Sequence, residues 1–246
     1  LGDARWLPIL GAIALNFLVF MPVRALRWRM AMQDPPPLLT ILASMLEGNT
    51  VGALFGTTAG DLVRSTRLRG TASFARDYGS TLAERACEYL ALTLMVGGVA
   101  VAGQVPIGWL AAPGVAILIM LAIVRWHDDV ARRMDRFPRV RTGLESLGGA
   151  LTLRRVAAMT GLAFLGWSAE VLMIHLVLGA LDLPSGAGLA TLVVVFINVF
   201  TMVPGVPGNL GTFEGGVTLA LATGGVAQEA ALSFALFYHA MHMIPS

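Results

Sequence analysis

Apolar positions in this chain run in long unbroken blocks, without the period of an amphipathic helix or a half-buried strand. The stretches Leu7–Val23 (extended toward Trp28), Ser80–Gly103, Gly108–Val124 and Ala157–Leu181 each approach the roughly 20 residues that a helix needs to cross a bilayer. Leu232–Ser246 reads as the start of another. Two more stretches, Leu38–Gly60 and Leu189–Thr223, are long enough to span but are broken near their middles. The first break lies in LEGNTVGALFGTTAGDLVR (Leu46–Arg64), the second in VFTMVPGVPGNLGTFEGG (Val199–Gly216). In lipid, a backbone interrupted by Gly and Pro survives where it is buried in protein or lines a cavity. When such breaks recur at matching places in two halves of a chain, they point to the substrate site of an inverted-repeat transporter.

Composition turns this pattern into a class. Hydrophobic residues make up 56% of the 246 positions, charged residues 13%, and the mean hydropathy is +0.74. Soluble domains carry nearer a quarter charged residues, so the expected fold is an all-α polytopic membrane protein. The single cysteine, Cys87, excludes an internal disulfide and a thiolate metal cluster, and reads as a small buried apolar residue. All 17 basic residues are Arg. The start at Leu1 and the stop inside an apolar run suggest a chain cut at both ends, and no signal peptide is recognisable.

Charge then orders the spans. Arg24, Arg27 and Arg29 follow the first; Arg64, Arg67, Arg69 and Arg76 follow the first broken segment. The loop near 125–156 holds eight more, whereas those near 104–106, 182–188 and 224–230 hold none. The positive-inside rule places the Arg-rich stretches in the cytoplasm. The first broken segment then enters and returns on the inside as a re-entrant hairpin, and the second does so from the outside. A single transmembrane domain over 1–246 is expected. It comprises a half-repeat at about 7–103, a linking helix at about 108–124, a cytoplasmic loop at about 125–156 and an inverted half-repeat at about 157–246. That makes about five spanning helices and two re-entrant hairpins. Non-helical backbone is expected at Gly60, Pro204, Pro207 and Gly208, with the two breaks meeting.

GDLVR (Gly60–Arg64), ERACE (Glu84–Glu88) and PGVPGNLGTFE (Pro204–Glu214), in this order and preceded by RALRW (Arg24–Trp28), resemble the membrane region of lysylphosphatidylglycerol synthases and the wider flippase-like family. The Pro204–Glu214 string is the most specific part. The resemblance implies a lipid translocator of the bacterial inner membrane, moving an aminoacylated phospholipid or another lipid-linked headgroup between leaflets. A partner synthase or glycosyltransferase is conceivable on the same ground; no nucleic-acid partner and no cofactor is implied. The aminoacyl-transferase domain of the two-part members is not among these residues, so lipid charging is not expected of them. Two positions depart from the family pattern, which tends to have Asp in place of Glu88 and Arg in place of His239.

Each candidate residue carries two readings. Glu84 and Glu88, one turn apart, either pair with Arg85 and Arg64 to hold the fold or face a cationic headgroup, since intramembrane charges are costly and mark function. Asp61 and Arg64 either orient the following element or grip a lipid phosphate, which suits the guanidinium fork. Glu47 and Asn49, at the expected tip of the first hairpin, satisfy open backbone groups there. Pro207, Gly208, Asn209 and Gly211 leave backbone N–H groups able to hold an anion. Glu214 is either a helix N-terminal carboxylate or part of a deep site. His239, on the last helix, is a further candidate binding residue on the ground of the resemblance. Glu170, His175, His239 and His242 match no metal-binding string, and no metal is expected. Without a P-loop, a metal–phosphate carboxylate pair or a Ser/His/Asp set, a transporter is favoured over an intramembrane enzyme on a lipid carrier. A scaffold subunit for a synthase or glycosyltransferase is the third reading.

Overall fold

In the computed structural model, which describes residues 5–68, 74–103, 136–201 and 207–243 and scattered positions between 115 and 133, the first apolar run forms a helical rod over Trp6–Ala31. It is built from α1 (Trp6–Leu15), a π turn (Asn16–Phe20) and α2 (Met21–Ala31). The wide turn has a local cause in Pro22. Proline lacks an N–H and its ring crowds the carbonyl four residues back, a conflict that a π bulge relieves. The Met21 N–H accordingly reaches back to the Asn16 carbonyl. The rod ends ahead of Pro35-Pro36-Pro37, which bias the preceding backbone away from the helix.

The first broken segment comprises α3 (Leu38–Phe55) and α4 (Thr57–Arg67), separated by Gly56 alone at φ +93°. Only glycine adopts that conformation without strain. The break expected at Gly60 therefore falls at Gly56, and Gly60 is helical. A glycine inside a helix costs about 1 kcal/mol and need not interrupt it. The chain doubles back at this hinge. Arg67 Nη2 lies 3.1 Å from Glu47 Oε1, whereas residues so far apart on one straight helix would be separated by about 30 Å. Glu47 is thus no tip residue. It lies well before the turn and holds the two limbs together.

Next come α5 (Phe74–Val101), α6 (Pro138–Ala150) and α7 (Leu153–Ala180). Helix α6 stands inside the stretch expected to be a loop, opened by Pro138 in its first turn, where a missing N–H costs nothing. The expected linking span at Gly108–Val124 lies largely outside the described residues.

The second broken segment comprises α8 (Ala187–Thr201), a 3-10 turn (Pro207–Asn209) and α9 (Thr212–Thr223), and α10 (Gln228–Met243) follows. Gly208, Asn209 and Gly211 take φ of +74°, +55° and +84°, so the expected non-helical backbone occurs at Pro207 and Gly208; Pro204 lies outside the described residues. Helices α8 and α9 run antiparallel. A Cβ on Gly216 would stand 2.8 Å from the Phe196 carbonyl oxygen, and one on Gly224 would stand 2.7 Å from the Leu189 side chain. This second turn also touches the end of the first hairpin: a Cβ on Gly208 would come within 2.9 Å of the Ala53 carbonyl oxygen.

The chain divides into two compact units. One holds residues 1–22, 49–60 and 166–246, with a core that includes Phe196, Val217, Phe234 and Tyr238. The other holds 23–48 and 61–165. Its core includes Trp28, Ile41, Met45 and Leu68 in one cluster and Ala83, Cys87, Leu147 and Met159 in another. There α5 and α6 approach so closely that a Cβ on Gly79 would stand 2.3 Å from the Gly143 carbonyl oxygen. Trp6–Ala31, Leu38–Phe55 and Leu153–Ala180 are long and apolar enough to cross a membrane. The described residues contain no strand, and the fold is an all-α membrane type.

Candidate functional site

The sequence-predicted residues gather into two clusters, one in each unit. In the second unit, α2, α4 and α5 bring seven ionisable side chains together: Arg24 and Arg27, Asp61 and Arg64, and Glu84, Arg85 and Glu88. Helical spacing does this locally. Within each helix the charges recur three or four residues apart and share a face.

The network is closely partnered. Arg27 Nη2 donates to Glu84 Oε1 at 2.8 Å and to Glu88 Oε1 at 2.9 Å. Arg64 stands 2.8 Å from Glu84 Oε2 and 3.1 Å from Asp61 Oδ1, and its guanidinium lies 4.7 Å over the Trp28 ring. Arg85 takes Asp61 in a two-pronged contact, at 3.1 and 3.0 Å, and reaches Glu88 Oε2 at 2.7 Å. Arg24 adds electrostatic attraction for Glu88 and Glu84. Arg27, Arg64, Glu84 and Glu88 are all buried. Four guanidinium groups thus surround three carboxylates, leaving the cluster one positive charge in excess.

Arg24 and Arg27 are the residues that sequence reasoning missed. They count there toward a cytoplasmic basic stretch, yet Arg27 is 1% exposed. Arg24 and Arg27 are three residues apart and share a helix face beside Trp28, but nothing local to that helix distinguishes a buried arginine from an interfacial one. Arg64 is paired with Glu84 and Arg85 with Glu88. Asn49 makes a weak contact with the Met21 sulfur, 3.7 Å away.

In the first unit, the turn before α9 and the face of α10 form the other cluster. Glu214 sits in the first turn of α9, and its Oε2 accepts the Gly211 N–H at 2.7 Å. Its Oε1 lies 2.6 Å from His239 Nδ1. The Phe213 ring stacks on His239 with centroids 4.2 Å apart. Glu214 and His239 are both buried at 7% exposure. One turn on, His242 Nε2 lies 3.3 Å from Glu170 Oε1. Pro207, Gly208, Asn209 and Gly211 build the turn that points Glu214 toward His239. Among the described residues no three potential ligands converge on a metal position.

Outside the expected spans, Asp77 in the first turn of α5 is buried, and this burial raises its carboxyl to about 6 against the pull of Arg76. Chemically, the first cluster suits an anion and the second a proton or a cation. No curated protein and no solved structure matches this chain. The family model described as the lysylphosphatidylglycerol synthase TM region matches residues 1–246, the full length. The chain belongs to this family, whose members are membrane proteins of lysylphosphatidylglycerol synthesis or flipping.

Proposed function

We propose that this chain is a multi-pass protein of a bacterial inner membrane that moves an aminoacylated phospholipid, or another lipid-linked headgroup, between leaflets. The observation that carries this reading is the buried network of α2, α4 and α5 with its one positive charge in excess. A charge cluster within apolar helices is costly, and such clusters mark substrate paths. The phosphodiester of a phospholipid suits an Arg-rich cluster because guanidinium groups bind it through paired N–H donors. Asp61, Arg64, Glu84, Arg85 and Glu88 are assigned to a lipid phosphate, with Arg27 added. Pro207, Gly208, Asn209, Gly211, Glu214 and His239 are assigned, as a separate cluster, to a cationic group, and Pro204 is kept with them on sequence grounds.

The two hairpins support a translocator. At about 1.5 Å per residue, α8 and α9 are each shorter than the roughly 30 Å hydrocarbon core. A pair of such limbs that doubles back suits a re-entrant element. The test is a leaflet-resolved assay in proteoliposomes containing lysylphosphatidylglycerol or phosphatidylglycerol. Lysylphosphatidylglycerol should equilibrate between leaflets faster than in protein-free liposomes, and equal rates with and without protein would end the reading.

The same network supports a second reading, a scaffold subunit for a partner synthase or glycosyltransferase, because Arg27, Arg64 and Arg85 are each already held by carboxylates. Arg64→Ala separates the two. A translocator loses transport while the protein still folds, and Arg64→Lys restores it in part. A scaffold shows no transport to lose.

A further inference from the structure

The second half of the chain poses an electrostatic problem. From Val156 to Ser246 the sequence contains neither Lys nor Arg, yet Glu170 and Glu214 are both buried there. A buried carboxylate needs a counter-charge. In this stretch it can come from a protonated histidine or from a bound ligand. The helices place a histidine beside each carboxylate: His239 on Glu214 at 2.6 Å and His242 near Glu170 at 3.3 Å.

The groups facing the Glu214–His239 pair are few. Helix α9 packs against α8, which contributes no titratable side chain, and against α10, which contributes Glu229, Tyr238, His239 and His242. Helix α7 contributes Glu170 and His175, while Trp6–Phe20 and Thr50–Phe55 contribute none. Arg5, the unit's one described arginine, is exposed and pairs with Asp182. Among the described residues of this unit, no permanent cation on these elements fixes the charge of the pair; Arg154 and Arg155 of α7 belong to the other unit. Imidazole is the side chain whose ordinary titration lies between pH 5 and 8. A water-sized cavity of about 20 Å³ adjoins His242, lined also by Asn16 and Tyr238. The buried Tyr238 hydroxyl has no hydrogen-bond partner among the described residues.

We propose that Glu214 and His239 form a proton-binding site that competes with a cationic headgroup, so that an ammonium group docking on Glu214 displaces one proton from His239. The proposal rests on the lipid-translocation reading and names its coupling. The balance is simple: the imidazolium gives one proton to water as one ammonium takes its place beside the carboxylate, and the charge of the site is unchanged. Headgroup binding is thereby linked to proton release. A proton gradient across the membrane then biases the direction in which a cationic lipid is carried.

The experiment uses the purified chain in nanodiscs, with lysylphosphatidylglycerol as probe and phosphatidylglycerol as control, between pH 5.5 and 8.5. Binding of lysylphosphatidylglycerol should tighten with rising pH, by up to tenfold per pH unit where each lipid displaces one proton. Where binding tightens tenfold per pH unit, close to one proton should be released per lipid bound, read with an indicator dye in weak buffer. Phosphatidylglycerol should bind without proton release. His239→Gln should flatten the pH dependence and abolish release. Tight binding of lysylphosphatidylglycerol at every pH without proton release overturns the exchange and leaves lipid translocation standing. Failure to prefer lysylphosphatidylglycerol at any pH overturns the cationic-headgroup reading and the exchange with it. The proton count is made on the wild-type chain, so the outcome does not depend on whether His239→Gln folds.

Discussion

The Arg–carboxylate network of α2, α4 and α5 and the Glu214–His239 pair of α9 and α10 solve one problem in opposite ways. Both bury ionised groups among apolar helices. The network does so with permanent charges: Glu84 is shared by Arg27 and Arg64, and Glu88 by Arg27 and Arg85. Each carboxylate has two cations, so losing one contact leaves another in place. The pair has one titratable partner and one backbone N–H. The first arrangement resists change over the whole physiological pH range. The second relies on an imidazole, which is not a permanent cation, and so suits exchange. Rigidity belongs to the region where guanidinium groups outnumber carboxylates, and responsiveness to the region without them.

Glu84→Gln should break the comparison most severely. It takes the shared carboxylate from Arg27 and Arg64, leaving them only Glu88 and Asp61, and removing one partner of a buried ion pair costs about 3–5 kcal/mol. Thermal unfolding in detergent should show the loss at every pH from 6 to 8. A variant as stable as wild type would mean that Glu84 carries no structural weight. Glu214→Gln should cost less, about 1–3 kcal/mol, because the Gln side-chain oxygen can still accept the Gly211 N–H. A drop equal to that of Glu84→Gln would erase the distinction between the two regions.

Asp77 offers a pH-dependent control next to the network. Its carboxyl is raised from an ordinary 3.8 to about 6 by burial. The protonated form is therefore favoured in the fold. Its contribution is fully present below about 3.8 and is lost as pH rises through about 6, so that above 6 the ionised carboxylate opposes folding. Asp77→Asn should stabilise the protein at pH 7.5 by on the order of 1 kcal/mol, with the advantage disappearing below pH 4. The advantage is read from unfolding midpoints across pH; a benefit that grows on acidification would reverse the sign of this account. The last prediction carries no stability effect. In a Cys87→Ala background, Thr66→Cys should react with a membrane-impermeant thiol reagent from the cytoplasmic side and Ala227→Cys from the opposite side. Labelling of both from one side would remove the inverted arrangement.

Much of this was legible in the chain because lipid leaves few options to a backbone. Gly56 and the Pro207–Gly211 string interrupt apolar runs, and both interruptions are hairpins. The exact hinge was not legible, since Gly52, Gly56 and Gly60 are equivalent by composition and only the backbone shows which one adopts positive φ. The partners Glu84, Arg85, Glu88, Asp61 and Arg64 could be named from helical spacing. Arg24 and Arg27 could not, because a buried arginine and an interfacial one look alike in sequence until another helix supplies the carboxylates. Helix α6 was hidden by its arginines and glycines, which read as loop. Its close packing on α5 through Gly79 and Gly143 is a tertiary fact with no local signal. The pairing of His239 with Glu214 spans two helices and was not legible: the resemblance marked His239 only as a departure from the family pattern.

The most direct test compares transport of two headgroups by wild type and Glu214→Gln, with thermal unfolding recorded beside each rate. The account predicts that the substitution sharply lowers lysylphosphatidylglycerol transfer between leaflets, barely changes phosphatidylglycerol transfer, and leaves the protein folded at the assay temperature. Equal loss for both lipids, in step with lost stability, would contradict it and make Glu214 a helix-capping residue with no part in recognising the headgroup.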